Sequence, residues 1–186
     1  EEPENYVVVH VKSENIDTYS IRLKEVLDLI RYKTGKPKVN IIAFSMGGLV
    51  ARRYIQIFGT ESVNRVILIG TPNKGITGRT ADLCPLVGGD LECRDMDSGS
   101  LFLNKLNRGS LPDIPIYSIV GTGCLMEGKE GDGTVLEENA RLEGAQNFVI
   151  NGTCTSVDKP LHTDLRDIGL YPEVYDIIID ALDEGR

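Results

Sequence analysis

The residues best equipped to do chemistry gather around Ser45. The run Ile41-Ile42-Ala43-Phe44-Ser45-Met46-Gly47-Gly48 carries a continuous apolar stretch into a serine and straight out into helical spacing at Leu49, Val50, Arg53, Tyr54 and Ile57. A serine at so sharp a strand-to-helix turn takes a strained backbone conformation with its hydroxyl exposed, which is the geometry of a nucleophile elbow. Strand and helix approach closely there, so the positions two before and two after the serine are expected to be small; they are Ala43 and Gly47. The turn also aims the backbone N–H of Met46, at the positive end of the following helix, toward a developing oxyanion. This is equipment for nucleophilic attack on a carbonyl. The plainer alternative is a strand-helix turn whose glycines only permit close packing.

A serine hydroxyl needs a general base to become a nucleophile. The chain has two histidines. His10 falls inside the apolar run 6–11 and reads as a structural strand residue, whereas His162 lies in a polar loop before the last helix. Loops at the carboxyl ends of parallel strands are where an open α/β sheet assembles its site, which favours His162. Where a strand-serine-helix nucleophile works with an acid and a base, the chain order is serine, carboxylate, histidine. The segment after Val120 offers Glu127, Glu130 and Asp132. Asp132 precedes Gly133-Thr134-Val135, a turn leading to an apolar anchor, and its short side chain suits the task of holding an imidazole tautomer. Glu130 is the next choice; Asp158 and Asp164 flank His162 too closely in sequence.

These side chains need a scaffold, and the pattern supplies one. After the short apolar run 6–11, Ile16, Tyr19, Leu23, Val26, Leu27 and Ile30 recur at helical spacing up to the stop at Thr34-Gly35. Continuous apolar runs at 39–44, 66–69, 116–120 and 147–150 predict buried strands, and Pro172 opens a last helix with Val174, Ile177, Ile178, Ala181 and Leu182 on one face. Alternation of apolar strands with amphipathic helices predicts an α/β fold, a mostly parallel sheet with helices on both faces. The stretch 71–112 reads as a long Gly-rich connection with one short helix near 100–106. A single domain over 1–186 is expected.

Composition narrows the partners. With a formal net charge of -8 and its basic residues dispersed, the chain repels phosphate backbones, and nucleic acid is excluded as an expected partner. No apolar run approaches the roughly 20 residues that span a bilayer, and Glu1-Glu2-Pro3-Glu4 lacks the basic and apolar regions of a secretory signal. Four cysteines, Cys84, Cys93, Cys124 and Cys154, show no C-x-x-C spacing for structural zinc. Three disulfide pairings are open, of which Cys84–Cys93 with Cys124–Cys154 is the natural choice; four buried thiols are the alternative. Disulfides favour an extracellular or other oxidising compartment, with the cytoplasm of a thermophile as the exception.

From residue 6 onward the chain resembles the small bacterial and archaeal lipases of the α/β-hydrolase superfamily. Ala43 to Tyr54 resembles their H-S-M-G-G-L-V-A-R-x-Y segment, with Phe44 where many have histidine. Gly70-Thr71-Pro72-Asn73-Lys74-Gly75 resembles their G-T-P-H-x-G turn, and Asp95-Met96 with Ser98-Gly99-Ser100 and Leu103-Asn104-Lys105-Leu106-Asn107 resembles D-M-x-P-G-S-x-F-L-x-x-L-N. Asp132-Gly133-Thr134-Val135 and Leu161-His162 match the acid and base loops. The resemblance implies a lipase or esterase acting on ester or lipid substrates, with no organic cofactor and no metal. It further implies transient contact with a lipid interface, and an acyl pocket roofed by a lid-like insertion at 71–112.

One departure stands out. The family carries a strand ending in His-Gly that supplies a second oxyanion donor, and this sequence starts beyond it, so an N-terminally truncated core is expected. The missing strand would come from the full-length chain, from elsewhere, or from residues 6–11 moved inward with His10-Val11 as a degenerate pair. Two other functions stay open: a lipid acyltransferase of the same fold, and a non-catalytic lipid-binding or interaction module.

Overall fold

The computed structural model describes residues 13–87, 89–154 and 160–184. The strand expected at 6–11, His10 and Asp158 lie outside them. In chain order the elements are α1 (Ile16–Thr34), β1 (Val39–Phe44), α2 (Met46–Phe58), β2 (Val63–Ile69), α3 (Gly78–Val87), α4 (Asp90–Met96) and α5 (Leu101–Leu106). There follow β3 (Ile116–Thr122), β4 (Cys124–Met126), β5 (Lys129–Gly131), α6 (Glu137–Ala140), β6 (Gln146–Asn151), α7 (Leu161–Asp164) and α8 (Pro172–Asp183).

Local chemistry sets the ends of α1. Asn15 accepts from the Thr18 N–H at 2.8 Å, and Gly35 closes the helix in the left-handed region at φ 65°, where a side chain would be strained. The four strands β1-β2-β3-β6 form one parallel sheet in that order. Because successive residues of a strand face opposite ways, the central strands β2 and β3 serve two cores. Ile41, Ala43, Val66 and Leu68 pack with Leu27 of α1 and Tyr54 of α2. Ile67, Ile69, Tyr117 and Ile119 pack on the other face with Val174 and Ala181 of α8. Every residue of β3 is buried, as a strand covered on both sides requires. Arg65 reaches under α8 and donates to the carbonyls of Ala181 and Glu184, a cation at the negative end of a helix.

The connection between β2 and β3 holds three helices where the sequence pattern predicts one. The expected helix is α5, capped by Ser100 Oγ accepting from the Leu103 N–H at 3.1 Å. The other two are α3, which contains Pro85, and the seven-residue α4. Both are too short to show a period, and neither would persist alone. They hold because the Cys84–Cys93 disulfide joins them and buries against Ile76, Val120 and Val135. Asp95 of α4 also accepts from the Ile16 N–H at 2.7 Å; burial holds its carboxyl above the usual range.

A buried cation ties this connection to α2. Arg52, 8% exposed, donates to the side-chain oxygens of Asn73 at 3.1 Å and Asn107 at 2.7 Å, residues near the two ends of the connection. Among the described residues it has no carboxylate partner, and burial pushes its guanidinium down to about 10. Truncation would leave the buried Asn73 amide oxygen without a donor and open a void. Arg52→Ala is therefore expected to lose about 2–4 kcal/mol of stability, read as a drop of roughly 5–10 °C in Tm.

Candidate active site

Ser45 stands between the end of β1 and the start of α2 with φ 53° and ψ −128°, a left-handed conformation for a residue with a side chain. Its N–H donates to Ile69 O at 2.8 Å and its carbonyl accepts from the Gly48 N–H at 3.0 Å, so the turn is fixed from both strands and from the helix. The expected need for small neighbours is met one residue later than the pattern suggests. A methyl at Gly47 would lie 3.9 Å from Ala43 Cβ, an ordinary contact, whereas one at Gly48 would lie 2.0 Å from Thr71 Oγ1. Gly48 is the glycine that the close approach of α2 to the end of β2 demands.

His162 lies in α7, a single helical turn rather than the expected loop, and Leu161 beside it is fully buried. Asp132 follows β5 and is also fully buried. Three interactions fix its carboxylate: Oδ1 accepts from the Thr134 N–H at 2.9 Å and the Val135 N–H at 2.7 Å, and Oδ2 lies 2.6 Å from His162 Nδ1. His162 Nε2 lies 2.9 Å from Ser45 Oγ. The backbone repeats the pairing, with the His162 N–H donating to Asp132 O at 2.8 Å. An ionised carboxylate only accepts, which puts the imidazole proton on Nδ1 and leaves Nε2 to accept from the Ser45 hydroxyl. The structure thus brings the residues singled out at 45, 132 and 162 into one hydrogen-bonded line.

The competing acids point elsewhere. Glu130 accepts from Thr122 Oγ1 at 3.2 Å, and Glu127 accepts from the Arg79 N–H at 2.8 Å. Met46 is the first residue of α2, so its N–H belongs to the first turn, which the helix's own ladder leaves unbonded. The second disulfide, Cys124–Cys154, joins the hairpin before Asp132 to the segment before His162, linking the two loops that must meet. Both natural pairings are thus formed, and among the described residues no cysteine is free. Also among the described residues, no cluster of three or more His, Cys, Asp and Glu could hold a metal ion.

Pattern reading gave two glycines at the site no role in its geometry. Gly70, at φ 56°, lies under the imidazole: a methyl there would stand 3.0 Å from His162 Cε1 and Nδ1. A methyl at Gly121 would stand 2.7 Å from Asp132 Cβ. The available signal was position, since Gly70 follows β2 directly and Gly121 interrupts the apolar run of β3.

Residues 3–83 match the sequence profile of the α/β-hydrolase fold. The sheet order, the elbow and this match agree. The chain has an α/β-hydrolase fold. A search of curated proteins returns no match. Among solved structures, the chain is similar to the mature lipase of Bacillus licheniformis, with a TM-score of 0.65 and 20% identity over 87% of this chain and 75% of that one. A phospholipase of Legionella pneumophila is similar at a TM-score of 0.72 and 12% identity, covering 96% of this chain and 49% of that one. A bromoperoxidase of Bacillus anthracis is similar too, at 0.59 and 15% identity over 91% and 75%. Likeness at these identities establishes the fold, and one fold hosts several chemistries.

Proposed function

We propose that this α/β-hydrolase cleaves carboxylic esters through an acyl-enzyme on Ser45. The single observation that carries the reading is the line from Ser45 Oγ to His162 Nε2 at 2.9 Å and from His162 Nδ1 to Asp132 Oδ2 at 2.6 Å. His162 takes the Ser45 proton as the hydroxyl attacks the ester carbonyl, and the Met46 N–H donates to the oxyanion. The imidazolium, stabilised by Asp132, then protonates the departing alcohol. Water activated by the same imidazole attacks the acyl carbon, and the free acid leaves with Ser45 restored. Among the described residues no His-Gly strand offers the second oxyanion donor that the resemblance implies.

A lipid ester is the substrate class best supported. The lipase and the phospholipase named above act on such molecules by name, and the surface around the elbow is suited to them. Leu101 is 88% exposed and Leu125 79% exposed, on connections that leave the carboxyl ends of β2 and β3; Ile168 and Leu170 are exposed after β6. Apolar side chains on that rim suit transient contact with a lipid surface. The helices α3 to α5 serve as a lid-like roof of the acyl pocket. Among the described residues no helix is long and apolar enough to cross a membrane. The two disulfides support an oxidising, extracellular setting.

Product analysis tests the reaction class. With a short-chain ester and excess lipid alcohol, free acid formed in a Ser45-dependent way is the expected result. Dominant transfer to the alcohol would make the chain an acyltransferase, and no Ser45-dependent turnover would make it a binding module.

A further inference from the structure

The His162–Asp132 hydrogen bond fixes one atom of the imidazole, but a ring held at one nitrogen can still pivot about that contact. What opposes the pivot is a stack of three side chains. The Phe44 ring lies 4.8 Å from the His162 ring, centroid to centroid, with the planes tilted by 42°. The Arg166 guanidinium carbon lies 4.4 Å from the Phe44 ring centroid. Phe44 is the residue before Ser45 on β1, and Arg166 follows α7, which carries His162. The stack therefore joins the strand that bears the serine to the turn that bears the histidine, along a path separate from Asp132. Arg166 is exposed, and its Nε also donates to Thr163 O at 3.5 Å. Cations settle over aromatic faces by attraction to the ring's negative face, so Arg166 has a physical reason to clamp Phe44 where the imidazole needs a wall.

We infer that Phe44, clamped by Arg166, is a positioning residue that holds the His162 imidazole in line with Ser45. This rests on the acyl-enzyme reading given above and adds two residues to it. Phe44 acts on the imidazole, and Arg166 acts only through Phe44. That order of action makes the inference specific, because the two substitutions must then fail to add.

The test is steady-state hydrolysis of p-nitrophenyl butyrate by wild type, Phe44→Leu, Phe44→Tyr, Arg166→Met and the Phe44→Leu/Arg166→Met pair. Phe44→Leu keeps apolar bulk but removes the ring face; it is expected to lower kcat about tenfold with KM within about twofold, since a loosened catalytic group loses rate rather than ground-state binding. Phe44→Tyr is expected to restore most of the rate. Arg166→Met, at an exposed site that keeps the fold intact, is expected to lower kcat about threefold, and the double variant is expected to equal Phe44→Leu alone. Unchanged kcat in both single variants would overturn the inference, as would a threefold effect of Arg166→Met that persists without the ring. Wild type lacking any Ser45-dependent turnover would instead overturn the acyl-enzyme reading, and this inference with it.

Discussion

Ser45→Ala is expected to lower turnover of an activated short-chain ester by about 10⁵- to 10⁶-fold while leaving the fold intact. The size follows from how the site works. The hydroxyl, the imidazole and the carboxylate act as one unit, so removing the nucleophile removes the acyl-enzyme route as a whole and leaves only what binding and oxyanion stabilisation provide. Alanine is smaller than serine and fits the same turn, because the backbone there is held by the Ser45 N–H donating to Ile69 O and the Gly48 N–H donating to Ser45 O. Circular dichroism and thermal unfolding should match wild type. A variant that kept more than about a hundredth of wild-type turnover would show that another residue carries the chemistry.

The second large effect is expected from Asp132→Asn, a loss of about 10⁴-fold in kcat. The reason lies in the hydrogen bonds around this carboxylate. Its Oδ1 is committed to two backbone donors, the N–H groups of Thr134 and Val135, and an amide would keep its oxygen there. The amide NH₂ would then take the place of Oδ2, 2.6 Å from His162 Nδ1, and present a donor to the imidazole. Nδ1 would have to accept, its proton would move to Nε2, and Nε2 could no longer accept from Ser45. Asp132→Asn thus traps the base in the wrong tautomer without moving it. The measurement is kcat beside KM: a fall in kcat at nearly constant KM is expected, and a pure KM effect would count against the assigned role.

Much of this site was legible in the sequence because it depends on local pattern and chain order. The strand-serine-helix run at 41–48 announced the elbow, and only one carboxylate in the segment after Val120, Asp132, stood at a turn closed by an apolar anchor. Gly35 and Pro172 marked helix ends because left-handed closure and a missing N–H are properties of single residues. What stayed hidden depends on partners distant in the chain. α3 and α4 gave no periodic signal because a disulfide and a shared core, rather than their own propensity, hold them. The β4–β5 hairpin is three residues a side, too short for alternation to register, and it turns through Glu127, at φ 50° an unusual residue for that conformation. The demand for glycine at 48 and 70 comes from Thr71 and His162 respectively, and no spacing rule near either glycine names those neighbours. Phe44 stands where the lipase pattern has histidine, and no spacing rule shows that its ring lies 4.8 Å from that of His162.

Treatment with a fluorophosphonate, followed by peptide mass spectrometry, probes the serine most directly. These reagents form a stable adduct only with a serine whose hydroxyl is activated by a neighbouring base. The outcome expected here is one adduct on the peptide containing Ser45, absent in Ser45→Ala and greatly slowed in His162→Ala. An unmodified Ser45 in folded protein, or an adduct placed on a different serine, would contradict the claim that Ser45 is the nucleophile.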